Sequence, residues 1–434
     1  MLILVATLAL VVLLLLAEMP IAFAFGIGAF LFGIVSGSDV SFLIPHAYHT
    51  TSSFALLALP LFVMAGTLMA QGGISDRLLD FVGAFVGRLK GGLGAVTVLT
   101  CALFGAISGS SSAAIAAIGQ IMIPRMVREG YPAGHATALV ACSSVLALLI
   151  PPSIPMIVFA VTGGLSVGAA FLSTVVPGTV LTIVYVGLNF VFLRRVDTIS
   201  IEEPLPAAAA LRRIGRTGAD AFWALLMPVI ILGSIYSGIA TPTEVAAVAL
   251  VYAVVVGFWF YRGLTLRNFP ATIGRAAVTT GSIVAVLFFL FAMSRAMILQ
   301  QVPGRLTEIL VAFTEHQVLA LVTLNLILLL IGMIVDDVSG SVLAAVVLLP
   351  VATELGVHPI HFAAIVGVNL GLGNVSPPCA PMLYMAAGVS KLKLDQYVGP
   401  TMKFLALGHL PMVLVVTFVP DLSLALPRWV LGIG

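Results

Sequence analysis

Two Pro-Pro pairs and two short polar stretches are the residues of this chain whose types and spacing could do chemistry. The stretch Gly105-Ala-Ile-Ser-Gly-Ser-Ser-Ser112 gathers Ser108, Ser110, Ser111 and Ser112 inside apolar sequence. A second stretch, 332–341, gathers Asp336, Asp337, Ser339 and Ser341 in the same way. Pro151-Pro152 follows the first stretch and Pro377-Pro378 follows the second. Proline has no N–H, so these pairs leave the carbonyls of Ala147 and Leu148, and of Gly373 and Asn374, without helical partners. The carbonyls of Leu146 and Leu149 lie at the end of the same half-helix, where the dipole is negative. Carbonyls and serine hydroxyls together form a hard-oxygen set, the kind that takes a small cation such as sodium. Asn374 and Ser376 add side-chain oxygens at the second break. Half-helices that begin near Ser112 and Ser341 point positive N-termini inward, which suits an anionic substrate. Ser153, in the first break, and Ser339 are further candidates for contact with that anion.

Asp336 and Asp337 are adjacent carboxylates within apolar sequence. Charge at membrane depth is costly, so such a pair marks a pathway or a cation site by default. The plainer alternative is that the pair caps the helix that follows. Arg295 lies deep in an apolar span and could face a substrate carboxylate, or reach water from the span's outer end. Thr241-Pro242-Thr243-Glu244 has a structural explanation, a capping box with proline at the first helical position. His135, His358 and His361 flank span starts and are expected at interfaces, with no spacing that suggests a metal.

The elements that must position these residues follow from composition. The chain has 434 residues, 61% hydrophobic and 8% charged, with a mean hydropathy of +1.21. Soluble domains carry about 25% charged residues, so this is an all-α polytopic membrane protein with the lipid bilayer as solvent. Its 42 glycines and 24 prolines suit closely packed and broken spans. A net charge of +2 gives no basis for a nucleic-acid partner. Cys101, Cys142 and Cys379 are scattered through apolar segments and form no disulfide or metal framework. The segment 1–17 lacks the basic start and cleavage site of a signal peptide and is expected to be a retained span.

Apolar segments predict about ten spans and two re-entrant helical hairpins, because neither flank of each polar stretch can cross a bilayer alone. Residues 1–195 form a first repeat, with an interfacial helix at 73–90, a hairpin at 91–128 and a broken span at 134–162. A hydrophilic linker, 196–216, is expected on the cytoplasmic side. Residues 217–434 form a second repeat, with an interfacial helix at 304–315, a hairpin at 317–355 and a broken span at 358–388. Each repeat contains an odd number of crossings, so the second is expected upside down relative to the first, the inverted-repeat plan of secondary transporters. With both termini outside, all but Arg295, Arg305 and Arg428 of the 19 Lys and Arg residues fall on the cytoplasmic side.

The rival class is an intramembrane enzyme. Ala106-Ile107-Ser108-Gly109 is one residue away from the Gly-x-Ser-Gly of intramembrane serine proteases. No histidine lies where it could activate that serine, and no His-Glu-x-x-His motif occurs. No nucleotide-binding loop occurs either. A coupled transporter, not an enzyme, is expected.

Several motifs in fixed order carry a resemblance over essentially the whole chain. Pro60-Leu-Phe-Val-Met-Ala-Gly66, the Gly105–Ser112 stretch, Ile123-Pro-Arg-Met-Val-Arg-Glu-Gly-Tyr-Pro132, Ile150-Pro-Pro-Ser-Ile-Pro155 and Gly238-Ile-Ala-Thr-Pro-Thr-Glu-Val-Ala-Ala247 resemble the large membrane subunit of tripartite ATP-independent periplasmic (TRAP) transporters. The resemblance implies a sodium-driven, elevator-type importer of small organic anions (dicarboxylates, sialic acid, sugar acids or keto acids) in the bacterial inner membrane. It implies two partners, a small four-span membrane subunit and a periplasmic substrate-binding protein. A stand-alone divalent-anion/sodium symporter of similar architecture is the alternative. The family's first sodium site maps to Ser108, Ser110 and Ser111 with the carbonyls around Leu146, Leu149 and Pro151. The second maps to the region of Gly332, Asp336 and Gly340, with Asn374, Val375, Ser376 and Pro377. The second break commonly reads Thr-Pro-Pro-Val-Gly in the family and here reads Ser376-Pro-Pro-Cys-Ala380, which leaves the substrate open.

Overall fold

Long apolar runs can satisfy their backbone polar groups in a bilayer only as helices or closed barrels. The computed structural model, which describes residues 2–37, 39–87, 89–199, 206–313 and 317–433, takes the helical solution, and among the described residues every regular element is a helix. Among the described residues, 7 helices could cross a membrane by length and composition, or up to 8 if the bent pair Ala133–Leu149 and Ile154–Thr162 counts as one span. The difference from the expected number lies in identifiable places. The apolar segments near 1–17 and 20–37 form helices of only 15 residues, Leu2–Leu16 and Ile21–Val35. The segment 358–388 is divided into Pro359–Val375 and Pro381–Ser390. The second arm of the second hairpin, Asp337–Glu354, is itself apolar and long enough to be counted.

The interfacial helix expected at 73–90 is Ile74–Val86, set off by Gly73 in the left-handed conformation. Its apolar positions at helical spacing, Ile74, Leu78 and Val82, are buried, while Asp76 and Asp80 face outward. It packs on Gly92–Ser108 and on the long helix Ala207–Tyr236. Arg77 ties it to a neighbouring span, donating to the Gly73 carbonyl (2.7 Å) and the Tyr261 carbonyl (3.3 Å). At the place of the interfacial helix expected at 304–315 stands the helix Val302–Phe313. Arg88, residues 200–205 of the linker and Glu315 lie outside the described residues.

Two packing groups emerge. In one, Phe269–Leu299 lies against Ile21–Val35, Leu43–Thr51 and Ala58–Gln71, and Ala58–Gln71 lies against Pro242–Val255. In the other, the hairpin arms pack on the broken spans and on Val167–Leu193, and Leu394–Phe404 packs on the first broken span. Buried hydrogen bonds hold the second group together. His409 accepts or donates at both ring nitrogens, to the Tyr185 hydroxyl at 2.8 Å and the Val368 carbonyl at 2.8 Å. Asn369 Nδ2 donates to Asn325 Oδ1 at 2.6 Å, and the Thr417 hydroxyl donates to the same oxygen at 3.1 Å.

The histidines differ from expectation. His135 is buried against Asn189 (3.1 Å) and His361 is buried against the Val416 carbonyl (2.8 Å), so both are satisfied core residues. His358 caps its helix through Nδ1, which accepts from the Ile360 N–H. Thr241 and Glu244 form the expected capping box, with Glu244 Oε2 accepting from the Thr241 N–H at 2.7 Å.

Candidate functional site

The first hairpin turns where its apolar run meets glycine and serine. Helix Gly92–Ser108 stops at Gly109, whose φ of 61° is the left-handed conformation that glycine adopts without strain. Ser110 is extended and caps the next arm, its hydroxyl accepting from the Ala113 N–H, while Ser110 Oγ lies 3.0 Å from Ser112 Oγ. That arm runs through Ser111–Ala114, a π-helical turn at Ile115–Gly119 and Gln120–Arg128. The second hairpin repeats the plan with Gln317–Ile334, then Asp337–Leu343, a π-helical turn at Ala344–Leu348 and Leu349–Glu354.

Both breaks fall where the sequence places its Pro-Pro pairs, and both Pro-Pro bonds are cis. Leu146–Leu149 ends at Ile150, which is extended, and Ile154–Thr162 resumes after Ser153. Pro359–Val375 ends at extended Ser376, whose hydroxyl donates to the Leu372 carbonyl at 2.7 Å. The first tip and first break are in direct contact, because the Ile154 N–H donates to the Gly109 carbonyl at 3.2 Å. The second hairpin meets the second broken span at glycine: a Cβ on Gly332 would lie 3.1 Å from Leu370 Cα and 3.2 Å from Gly373 Cα. Gly340 lies beside the Leu370 side chain.

The tips also meet each other. Ser111 Oγ donates to Asp337 Oδ2 at 3.4 Å, across the two halves of the chain. Asp337 Oδ1 accepts from the Val338 N–H at 3.1 Å. Asp336 is the N-cap of its helix, accepting from the Val338 and Ser339 N–H groups and from the Ser339 hydroxyl. The capping role therefore holds for Asp336, while Asp337 retains acceptor capacity beside the opposite tip.

A cavity of about 510 Å³ opens at this junction. Ser108, Gly109, Ser110 and Ser112 line it from the first tip, and Asp336, Asp337 and Val338 from the second. Its remaining walls come from Ala113 and Ala116 of the first hairpin, Ile154 and Pro155 after the first break, Ala58–Gln71, Phe269–Leu299, Met382 and Met385. Ser108 is 3% exposed and its hydroxyl has no partner, so a polar group is held desolvated at the cavity edge. Ser153 Oγ and both side-chain polar atoms of Asn374 are likewise buried without partners at the two breaks.

The sequence of this arrangement matches a profile described as the tripartite ATP-independent periplasmic transporter, DctM component, over residues 8–422. The chain belongs to this family. Among TRAP permeases it is 35% identical over 408 residues to the C4-dicarboxylate large permease protein DctM of Pseudomonas aeruginosa, covering 93% of each chain. It is 32% identical to the isethionate permease protein DctMQ of Oleidesulfovibrio alaskensis, of which it spans 63%. In fold it is similar to the YdaH transporter of Alcanivorax borkumensis, with a TM-score of 0.63, 16% identity and 87% of each chain covered. The relatives are transporter permeases and not enzymes, which settles the choice against an intramembrane protease.

Within this TRAP permease, Ser108, Ser110, Ser112, Asp336 and Asp337 converge on one cavity, and Ser111 bridges its two sides. Leu146, Leu149 and Val375 are fully buried behind the tips, and the Leu146 carbonyl already accepts from the Ile150 N–H at 2.8 Å. Ser339 and Ser341 do not line the cavity, because their hydroxyls bond to Asp336 and to the Asp337 carbonyl (2.7 Å). Arg295 lies elsewhere, its guanidinium 6.0 Å from the Phe42 ring centroid. Sequence reasoning missed Thr67, Thr279, Ser282, Met382 and Met385 in the lining. The run Thr279-Thr280-Gly281-Ser282, polar within an apolar helix, was the available signal.

Proposed function

We propose that the chain is the permease of a bacterial inner-membrane transporter that imports an organic anion by sodium coupling. The observation that carries this is the meeting of both hairpin tips and the first proline break at one cavity, with the desolvated, unpartnered Ser108 hydroxyl at its edge. Ser108 at the first tip, Ser153 at the first break and Asn374 at the second break each offer a hard oxygen whose burial is otherwise uncompensated, the chemistry that sodium sites use. Sodium would supply the charge that makes a dry, hydroxyl-lined site accept an anion. The relatives named for C4-dicarboxylate and isethionate support an organic anion as the substrate class.

Transport proceeds as an elevator movement. The hairpins, the broken spans and Val167–Leu193 and Leu394–Phe418 move as one body against the group built on Phe269–Leu299. The matched order of hairpin, π-helical turn and Pro-Pro break in each half supports an inverted repeat, with about ten crossings and both termini periplasmic. A small membrane subunit and a substrate-binding protein complete the assembly, in keeping with the family's tripartite description; the DctMQ name of one relative suggests that the small subunit can be fused.

Uptake into proteoliposomes holding the permease and its small subunit, with and without the binding protein, tests the assembly. Uptake is expected only with the binding protein. Equal uptake without it would place the chain among stand-alone anion/sodium symporters.

A further inference from the structure

We propose that His409 is a positioning residue for sodium binding at the second proline break, acting through the half-helix that carries Asn374. This rests on the sodium coupling proposed above. Neither His409 nor its partner Tyr185 lines the cavity, so the pair acts through the backbone it holds.

The two broken spans cross at glycine. A Cβ on Gly367 would lie 3.2 Å from Leu149 Cδ2, and one on Gly371 would lie 3.5 Å from Val145 Cβ. Gly367 and Gly371 are one turn apart on Pro359–Val375, and Val145 and Leu149 are one turn apart beside the first break. The second half-helix therefore rests directly on the first, with no side chain of its own to set the spacing. His409 supplies what the glycines omit. Its Cε1 would lie 3.2 Å from a Cβ on Gly371, so the ring fills the space beside that bare backbone. Asn374 follows Gly371 by one turn, at the end of the same half-helix.

The ring is held in one orientation. The Val368 carbonyl can only accept, so Nε2 carries a proton and donates to it at 2.8 Å. Nδ1 of the neutral ring then accepts from the Tyr185 hydroxyl at 2.8 Å. Tyr185 stands on Val167–Leu193, and Tyr185, His409 and Val368 are all fully buried. A buried chain of this kind fixes geometry, because each member is costly to leave unpaired. His409 also closes the π-helical turn Leu405–His409, a distortion frequent at functional sites. Asn374, fully buried with both side-chain polar atoms unpartnered, is the group whose place this chain sets.

The test is thermal unfolding of the full chain in lipid nanodiscs, titrated with sodium chloride against potassium chloride at constant total salt. The apparent sodium dissociation constant is read from the rise in unfolding temperature. Tyr185→Phe keeps the ring and removes only the bond to Nδ1, whereas His409→Phe removes both bonds. Each is expected to weaken sodium binding at least about fivefold. His409→Gln, which keeps a donor for Val368 and an acceptor for Tyr185, should stay within about twofold of wild type. Asn189→Ala breaks a different buried bond, to His135, and should lower stability without moving the constant. An unchanged constant in Tyr185→Phe overturns the proposal, whether or not His409→Phe folds. So does a loss in His409→Gln or in Asn189→Ala equal to that in Tyr185→Phe. A wild type that sodium does not stabilise sinks the sodium reading itself, and the proposal with it.

Discussion

Ser111 on the first hairpin donates its hydroxyl to the carboxylate of Asp337 on the second, at 3.4 Å. Ser111 is fully buried, so this bond joins the halves of the chain at a desolvated point between the cavity's two lips. A long bond in such a place is individually weak, and its value lies in fixing the relative position of the two tips.

Removing it should therefore be cheap and coupled. Ser111→Ala is expected to cost about 0.5–1.5 kcal/mol. The double variant Ser111→Ala with Asp337→Asn should cost less than the sum of the single variants. Denaturant unfolding of all four proteins measures the coupling, and strict additivity would show that the two side chains do not interact.

Ser108 makes a sharper case. Its hydroxyl has no protein partner, so Ser108→Ala breaks no internal hydrogen bond and should leave sodium-free stability within roughly 0.5 kcal/mol of wild type. Sodium-dependent stabilisation should fall by about tenfold in apparent affinity. Asn189→Ala is the structural contrast. Asn189 is buried, bonds to the Gly91 carbonyl at 2.9 Å and meets His135, so its loss should cost about 1–3 kcal/mol with or without sodium. Sodium titrations of thermal stability read both effects.

Gly66 sits where the two packing groups cross. A Cβ there would lie 2.9 Å from Ser108 Cα, a backbone atom that cannot rotate away. Gly66→Val should lower stability by about 1–3 kcal/mol and slow transport, because the helices must separate to admit it. Gly187→Ala, within the helix Val167–Leu193 and with nothing within 4 Å of its added Cβ, should be neutral or stabilising by up to about 1 kcal/mol. Paired unfolding and uptake measurements check this, and a fully active Gly66→Val protein would remove the crossing point from the mechanism.

Neither Thr241 nor Glu244 of the capping box lines the cavity. Thr241→Ala should cost about 1 kcal/mol through its lost N-cap and leave the half-maximal sodium concentration unchanged. A changed sodium response would give this corner a role beyond capping.

Much of the fold was legible because it is written in short-range rules. Helical spacing of Ile74, Leu78 and Val82 announced the amphipathic helix, Thr241 and Glu244 announced their capping box, and the two Pro-Pro pairs announced the breaks. The polar stretches announced the tips, and five of their serines and aspartates besides Ser108 touch or bridge the cavity. What was not legible depends on long-range placement. Nothing in the sequence spacing says that Ser111 meets Asp337, that Arg295 lies beside Phe42, or that Thr67 and Ser282 face the tips from other helices. Ser339 and Ser341 looked like ligands because hydroxyl chemistry is the same in both roles; only the structure shows their bonds turned inward. His135 and His361 were misplaced at interfaces because their partners, Asn189 and the Val416 carbonyl, are distant in sequence.

The central claim is that sodium binding at the tips and breaks drives substrate through the cavity. Uptake of a radiolabelled organic anion, identified as the ligand of the cognate binding protein, into proteoliposomes of the complete transporter tests it most directly. With an inward sodium gradient, accumulation above the outside concentration is expected, and collapse of the gradient should abolish it. Equal accumulation with potassium in place of sodium on both sides would contradict the account.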